Sequence, residues 1–241
     1  MRPKNKGWIK NYAEHLENVA LELKYGENLI GNSFDEKLYR LIQPTGLMYG
    51  HPIQHPGSYK VKMGNWDEKE KLTFILFDSF IHNSFLIHEV DSPKNVKDLV
   101  YESVKELVEY YQNSHPSSKG NDTFGRRHNE LLVAESLLQN RLRVRSSVNN
   151  SFWAGFFYNS LLFLDVYFFG LWLQNKEGIV SIDDLEKKQE ELRLCILKII
   201  ASASQADQSI EFQERKLYNF FVKSASLSIA AEKEALEYLD S

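Results

Sequence analysis

The sequence predicts an all-α protein, a helical bundle around a central apolar helix, with a short irregular or hairpin segment near residues 44–67. Three observations lead there. Apolar residues recur at helical spacing through most of the 241-residue chain, and they make up 43% of it, enough for a sizeable core. With only 6 prolines and 12 glycines, long helices meet few interruptions.

The elements follow in order. Trp8, Tyr12, Leu16, Val19 and Leu23 share one helical face, so about Gly7–Lys24 reads as an amphipathic helix, and a shorter one is expected at Asp35–Gln43. Pro44, Pro52 and Pro56, with Gly46, Gly50, Gly57 and Gly64, make Pro44–Asp67 the least helical stretch; Ser58–Met63 alternates polar and apolar, as a short strand would. Helices resume at about Glu68–Glu89 and Val96–Gln112. The polar run Asn113–Asp122 reads as a linker, which divides the chain into an N-terminal region 1–113, a linker 114–122 and a second helical region 123–241. Beyond it, helices are expected at about Thr123–Val144, Ser151–Gln174, from Ser181–Asp184 to about Ala203, at Ile210–Lys223 and at Ile229–Leu239.

The stretch Phe152–Leu173 is long enough to cross a bilayer, and Arg141, Arg143 and Arg145 precede it as a cytoplasmic flank would. Asn159 and Asp165 interrupt it. An aspartate at mid-bilayer costs roughly 2.5–3.5 kcal/mol even on a permissive scale, which favours a buried central helix and leaves a membrane span as the rival. Inside a protein core Asp165 needs a donor, and the arginines of the preceding helix are the expected partners.

Composition excludes some roles. A formal net charge of −4 argues against a protein built to neutralise nucleic-acid phosphates, so protein partners are expected. The single cysteine, Cys195, cannot form an internal disulfide; in the run Leu192–Leu197 it reads as a small buried hydrophobe. After Met1-Arg2-Pro3-Lys4 no apolar export segment follows, so a cytoplasmic location is expected, with attachment to the inner membrane left open.

Catalytic signatures are scarce. There is no phosphate-binding glycine loop, no Gly-x-Ser-x-Gly elbow, no His-Glu-x-x-His and no Glu-x-x-His pair. His51 and His55 are each followed by proline, which rules out the helical spacing that would let them share a metal; His82 and His88 fall on different faces of one helix. Arg126, Arg127, Arg141, Arg143 and Arg145, interleaved with Glu130 and Glu135, read as a solvated, partly ion-paired face. A non-catalytic protein is favoured, and an enzyme of unrecognised type stays open.

One motif stands apart. From Ile199 to Glu214 an apolar helix ends in Ala206-Asp207, a turn follows, Ile210 points inward, and a new helix opens with acids. Asp207, Ser209, Glu211 and Glu214 gather hard oxygen ligands on that turn, as calcium or magnesium requires, and acids at a helix N-terminus also suit its dipole. The pattern resembles the signature of TerB-like domains, helical modules named after tellurite-resistance proteins: an Ala-Asp-Gly, a spacer, an aliphatic residue, then acids. Ala206, Asp207, Ile210 and Glu214 match it; the expected glycine is Gln208, where a left-handed turn costs more. The likeness covers about Leu192–Leu239 and implies a cation-responsive binding module. Such domains carry a second acidic turn, which is expected beyond Ser241 in a longer protein. Gly7-Trp8-Ile9 and Thr45–Gly50 are also similar to the openings of bacterial LETM-related, biofilm-associated proteins, which implies a membrane module further on and an envelope- or stress-related role.

Overall fold

The computed structural model describes residues 1–25, 46–48, 51–53, 63, 65–88, 93–114, 130–143, 152–176, 181–206 and 209–241. Helix α1 spans Trp8–Tyr25. A two-stranded antiparallel hairpin, β1 (Gly46–Met48) and β2 (His51–Ile53), pairs Gly46 with Ile53 and Leu47 with Pro52. Then come α2 (Glu68–Ile87), α3 (Pro93–Ser114), α4 (Glu130–Arg143), α5 (Phe152–Lys176), α6 (Ile182–Ser204), α7 (Phe212–Ser224) and α8 (Ile229–Leu239). The protein is a helical bundle. The hairpin falls upstream of Ser58–Met63; Met63 is outside any strand, while residues 58–62 and the helix expected at 35–43 lie outside the described residues. Proline is tolerated in β2 because both strands of such a ribbon are edges.

The helix starts show why these segments fold locally. Asp67 caps α2 by accepting the Glu70 N–H at 2.9 Å, and Glu70 returns the bond to the Asp67 N–H at 2.8 Å. Arg2 clamps the same Glu70 with two bonds of 2.9 and 2.8 Å, and the guanidinium holds the carboxyl below its ordinary range. Helix α1 has no acid in its first turn. Its orphan donors are met from a distance: Glu135 of α4 accepts the N–H of Ile9 at 3.3 Å and of Gly7 at 3.5 Å. Gly7 turns the chain into α1 at φ +80°, which a side chain would resist.

Two hydrophobic clusters fill the interior. The first joins α1, α2, α3, α4 and the C-terminal half of α5, through Trp8, Phe77, Phe80, Leu107, Leu138 and Phe169 among others. The second joins the N-terminal half of α5 to α6, α7 and α8, through Phe157, Leu161, Leu197, Tyr218, Phe221 and Ala235. Residues 115–122 lie outside the described residues, but α3 and α4 on either side of them share one cluster. The core therefore does not divide at 114–122; it divides inside α5, between Leu161 and Leu162.

The expected apolar helix is α5, and it supplies residues to both clusters. In α5, Leu161, Asp165, Phe168, Phe169 and Trp172 are buried, yet Phe163 stays 68% exposed. The helix surrounded on every side is α2, whose residues 72–82 are all buried. Helix α5 is, among the described residues, the one long and apolar enough to cross a membrane, and 56% of its most apolar stretch is covered by protein.

Candidate functional site

Asp165 is wholly buried where the two clusters meet. Arg141 of α4 reaches it with two bonds, Nε to Oδ2 at 2.6 Å and a second nitrogen to Oδ1 at 3.2 Å. Arg193 of α6 adds a bond to Oδ1 at 3.1 Å. Burial opposes the charge on Arg141, but the Asp165 carboxylate outweighs it and holds the guanidinium above its ordinary value. For Arg193 burial wins, and its value falls below the ordinary one. Neither shift discharges an arginine near neutrality. Arg193 also donates to the Ser226 carbonyl at 3.5 Å, at the corner between α7 and α8, and Ser226 sits at φ +54°. Beside this knot Gln189 of α6 donates to the Tyr110 hydroxyl of α3 at 3.1 Å.

The expected partner of Asp165 is therefore present in Arg141, which turns inward instead of joining a solvated basic face. Glu135 is not a surface acid either, since it caps α1. Burial pushes its carboxyl up, against the opposing pull of the N–H groups it accepts. Arg126, Arg127 and Arg145 lie outside the described residues. Arg193 was hidden in the apolar run Leu192–Leu197. Helical register turns Arg193 inward, 3% exposed, and leaves Cys195 exposed, the reverse of what the run suggests. A charged residue four positions before buried Leu197 and seven before buried Ile200, on the same helical face, was the available signal.

At the acidic corner, Asp207 lies outside the described residues. Ser209 and Glu211 are exposed, and Glu211 occupies the residue before α7. Glu214 folds back to accept the Glu211 N–H at 3.0 Å, a capping role. Ile210 packs against the second cluster, as the inward plug should. Among the described residues no group of three or more His, Cys, Asp or Glu could hold a metal ion. Of the histidines, His82 is buried in α2 and His88 lies 3.6 Å from Glu106 of α3; the backbone of His51 is in β2, and His55 lies outside the described residues.

A second buried aspartate, Asp78 of α2, accepts the Tyr12 hydroxyl of α1 at 2.7 Å. Burial drives its carboxyl up to about 7, against the pull of the Tyr12 bond. The same burial lifts Tyr12 well above its ordinary value.

The remaining feature is a surface. At helical spacing Phe152, Phe163, Tyr167 and Gln174 are the exposed residues on the outward face of α5. Phe152, Phe163 and Tyr167 are 58%, 68% and 50% exposed, and the rings of Phe163 and Tyr167 stack at 6.3 Å. From Phe152 to Asn175 the single charged residue is the buried Asp165, so this face is uncharged for most of its roughly 37 Å length.

No family model, no curated protein and no solved structure matches the chain.

Proposed function

We propose that the protein is a non-catalytic binding or scaffolding component that offers the outward face of α5 to a protein partner. The carrying observation is that face: aromatic, uncharged and half exposed on a helix otherwise anchored in two cores. Exposed apolar patches of this kind mark interaction surfaces. Three sets of buried polar groups have a structural task, which supports the non-catalytic reading. Asp165 binds Arg141 and Arg193, Asp78 binds Tyr12, and Gln189 binds Tyr110. In this reading the C-terminal helices form a TerB-like module, and Asp207 with its neighbouring acids answers calcium or magnesium in an envelope- or stress-related system.

A photo-crosslinking amino acid at position 163, used in cells, tests the surface. Discrete protein adducts are expected, and their loss on Tyr167→Glu; absence of adducts removes the proposal. The length and apolarity of α5 favour a second reading, attachment to a membrane through this helix. Flotation of the purified chain with vesicles, abolished by Phe163→Glu, would replace the first reading with the second. For the acidic corner, Asp207→Ala should abolish any rise in melting temperature produced by calcium or magnesium; equal melting of parent and variant with and without either ion refutes ion binding.

A further inference from the structure

We infer that the C-terminal unit α6–α8 opens separately from α1–α4, and that Arg193 is the latch that holds it closed. The two hydrophobic clusters share no residue, and α5 alone supplies both. What ties α6 to the helices of the first cluster is a short chain of buried hydrogen bonds: Gln189 to Tyr110, and Arg193 to the Asp165 oxygen that Arg141 also holds. Apolar burial stabilises each unit internally and without regard to direction, whereas a buried ion pair loses much of its attraction to desolvation. Toward α1–α4, with which α6–α8 share no apolar cluster, a joint made of such groups fixes orientation more than it adds stability, and local opening is expected there. Helices α6–α8 remain packed on the N-terminal half of α5 through the second cluster, Phe157 against Phe221 included, so full departure must also break that contact.

Arg141 holds both oxygens of Asp165, and Arg193 adds a bond to Oδ1. When α6 leaves, the carboxylate keeps the two-pronged Arg141 bond inside the first unit, so release does not strand a buried anion. The departing Arg193 stays tied to Ser226, whose left-handed backbone lies at the α7–α8 corner, and Glu190 of α6 accepts the neighbouring Ser228 N–H at 2.6 Å. Helices α6, α7 and α8 are thus bound to one another at the point where α6 is bound to α5, and they would move together. Their departure uncovers Phe157 and Tyr158, which extends the aromatic surface of α5 around the helix.

Hydrogen exchange of the full chain, read by mass spectrometry, decides it. In the parent protein, peptides of α6–α8 should exchange together and faster than those of α2 and α3. Arg193→Gln should speed α6–α8 by roughly ten- to hundredfold, the loss of a charged hydrogen bond, with α2 and α3 still exchanging more slowly than α6–α8. Exchange of α6–α8 as slow as that of α2 and α3 in the parent, or no acceleration of α6–α8 in the variant, overturns the proposal. Should Arg193→Gln not fold, the parent alone answers: in low urea, exchange of α6–α8 with a weaker urea dependence than α2 supports separate opening, and an identical dependence refutes it.

Discussion

Helices α2 and α5 exchange the roles their compositions suggest. Helix α5 carries one charged residue before Lys176, yet it leaves Phe163 and Tyr167 in solvent. Helix α2 carries Thr73, Asp78, Ser79, His82 and Ser84 within its buried stretch, and α1, α3, α4, α5 and β2 all supply neighbours to it. Three of these groups are met by the backbone or a neighbour: Thr73 donates to the Lys69 carbonyl at 2.8 Å, Ser84 to that of Phe80 at 3.1 Å, and Asp78 accepts from Tyr12. Apolarity measures what a helix can bury; position in the bundle decides what it does bury. Each helix also holds one buried aspartate, and the two are accommodated differently. Asp165 keeps two guanidinium partners, whereas Asp78 has a tyrosine hydroxyl and is driven toward the neutral form.

Substitutions can separate these cases. The largest loss is expected for Asp165→Ala, about 3–5 kcal/mol by urea denaturation, because two buried arginines lose a shared acceptor. Phe80→Ala in α2 should cost about 3–5 kcal/mol, since its ring is 1% exposed and packs edge-on against Phe169 at 4.7 Å. A loss below about 1 kcal/mol there would contradict the position assigned to α2.

Asp78→Asn should act through pH. The folded state holds its carboxyl near 7, above the ordinary aspartate range, so it favours the protonated form. That stability is present at acid pH and is lost as pH rises toward about 7. Asparagine does not titrate, so the variant should gain on the parent by about 2–4 kcal/mol between pH 4 and pH 8. A difference independent of pH would show that Asp78 is ionised throughout. The smallest effect is expected for Phe163→Ser, within about 0.5 kcal/mol, because the side chain is 68% exposed. The contrast with Phe80 sharpens the comparison, since the same residue type is replaced in both helices.

Helical periodicity made the fold class and most element positions legible, because the spacing of Trp8, Tyr12 and Leu16, or of Val100, Val104 and Leu107, is set by helix geometry alone. Tertiary assignments were less accessible. The linker-like run 114–122 is polar, but polarity does not by itself divide a core, and α3 and α4 share one cluster. The need of Asp165 for an arginine followed from electrostatics, and Arg141 meets it. The second arginine did not follow, because the register that turns Arg193 inward and Cys195 outward depends on where α6 docks. At the acidic corner, Glu214 was readable either as a ligand or as a cap, and it caps.

The capping of α1 by Glu135 has a consequence for how the chain is made. The bonds to Gly7 and Ile9 span 128 and 126 residues, so α1 leaves the ribosome well before its end-stop does. Until Glu135 emerges, the first amides of α1 lack the carboxylate that caps them in the folded protein.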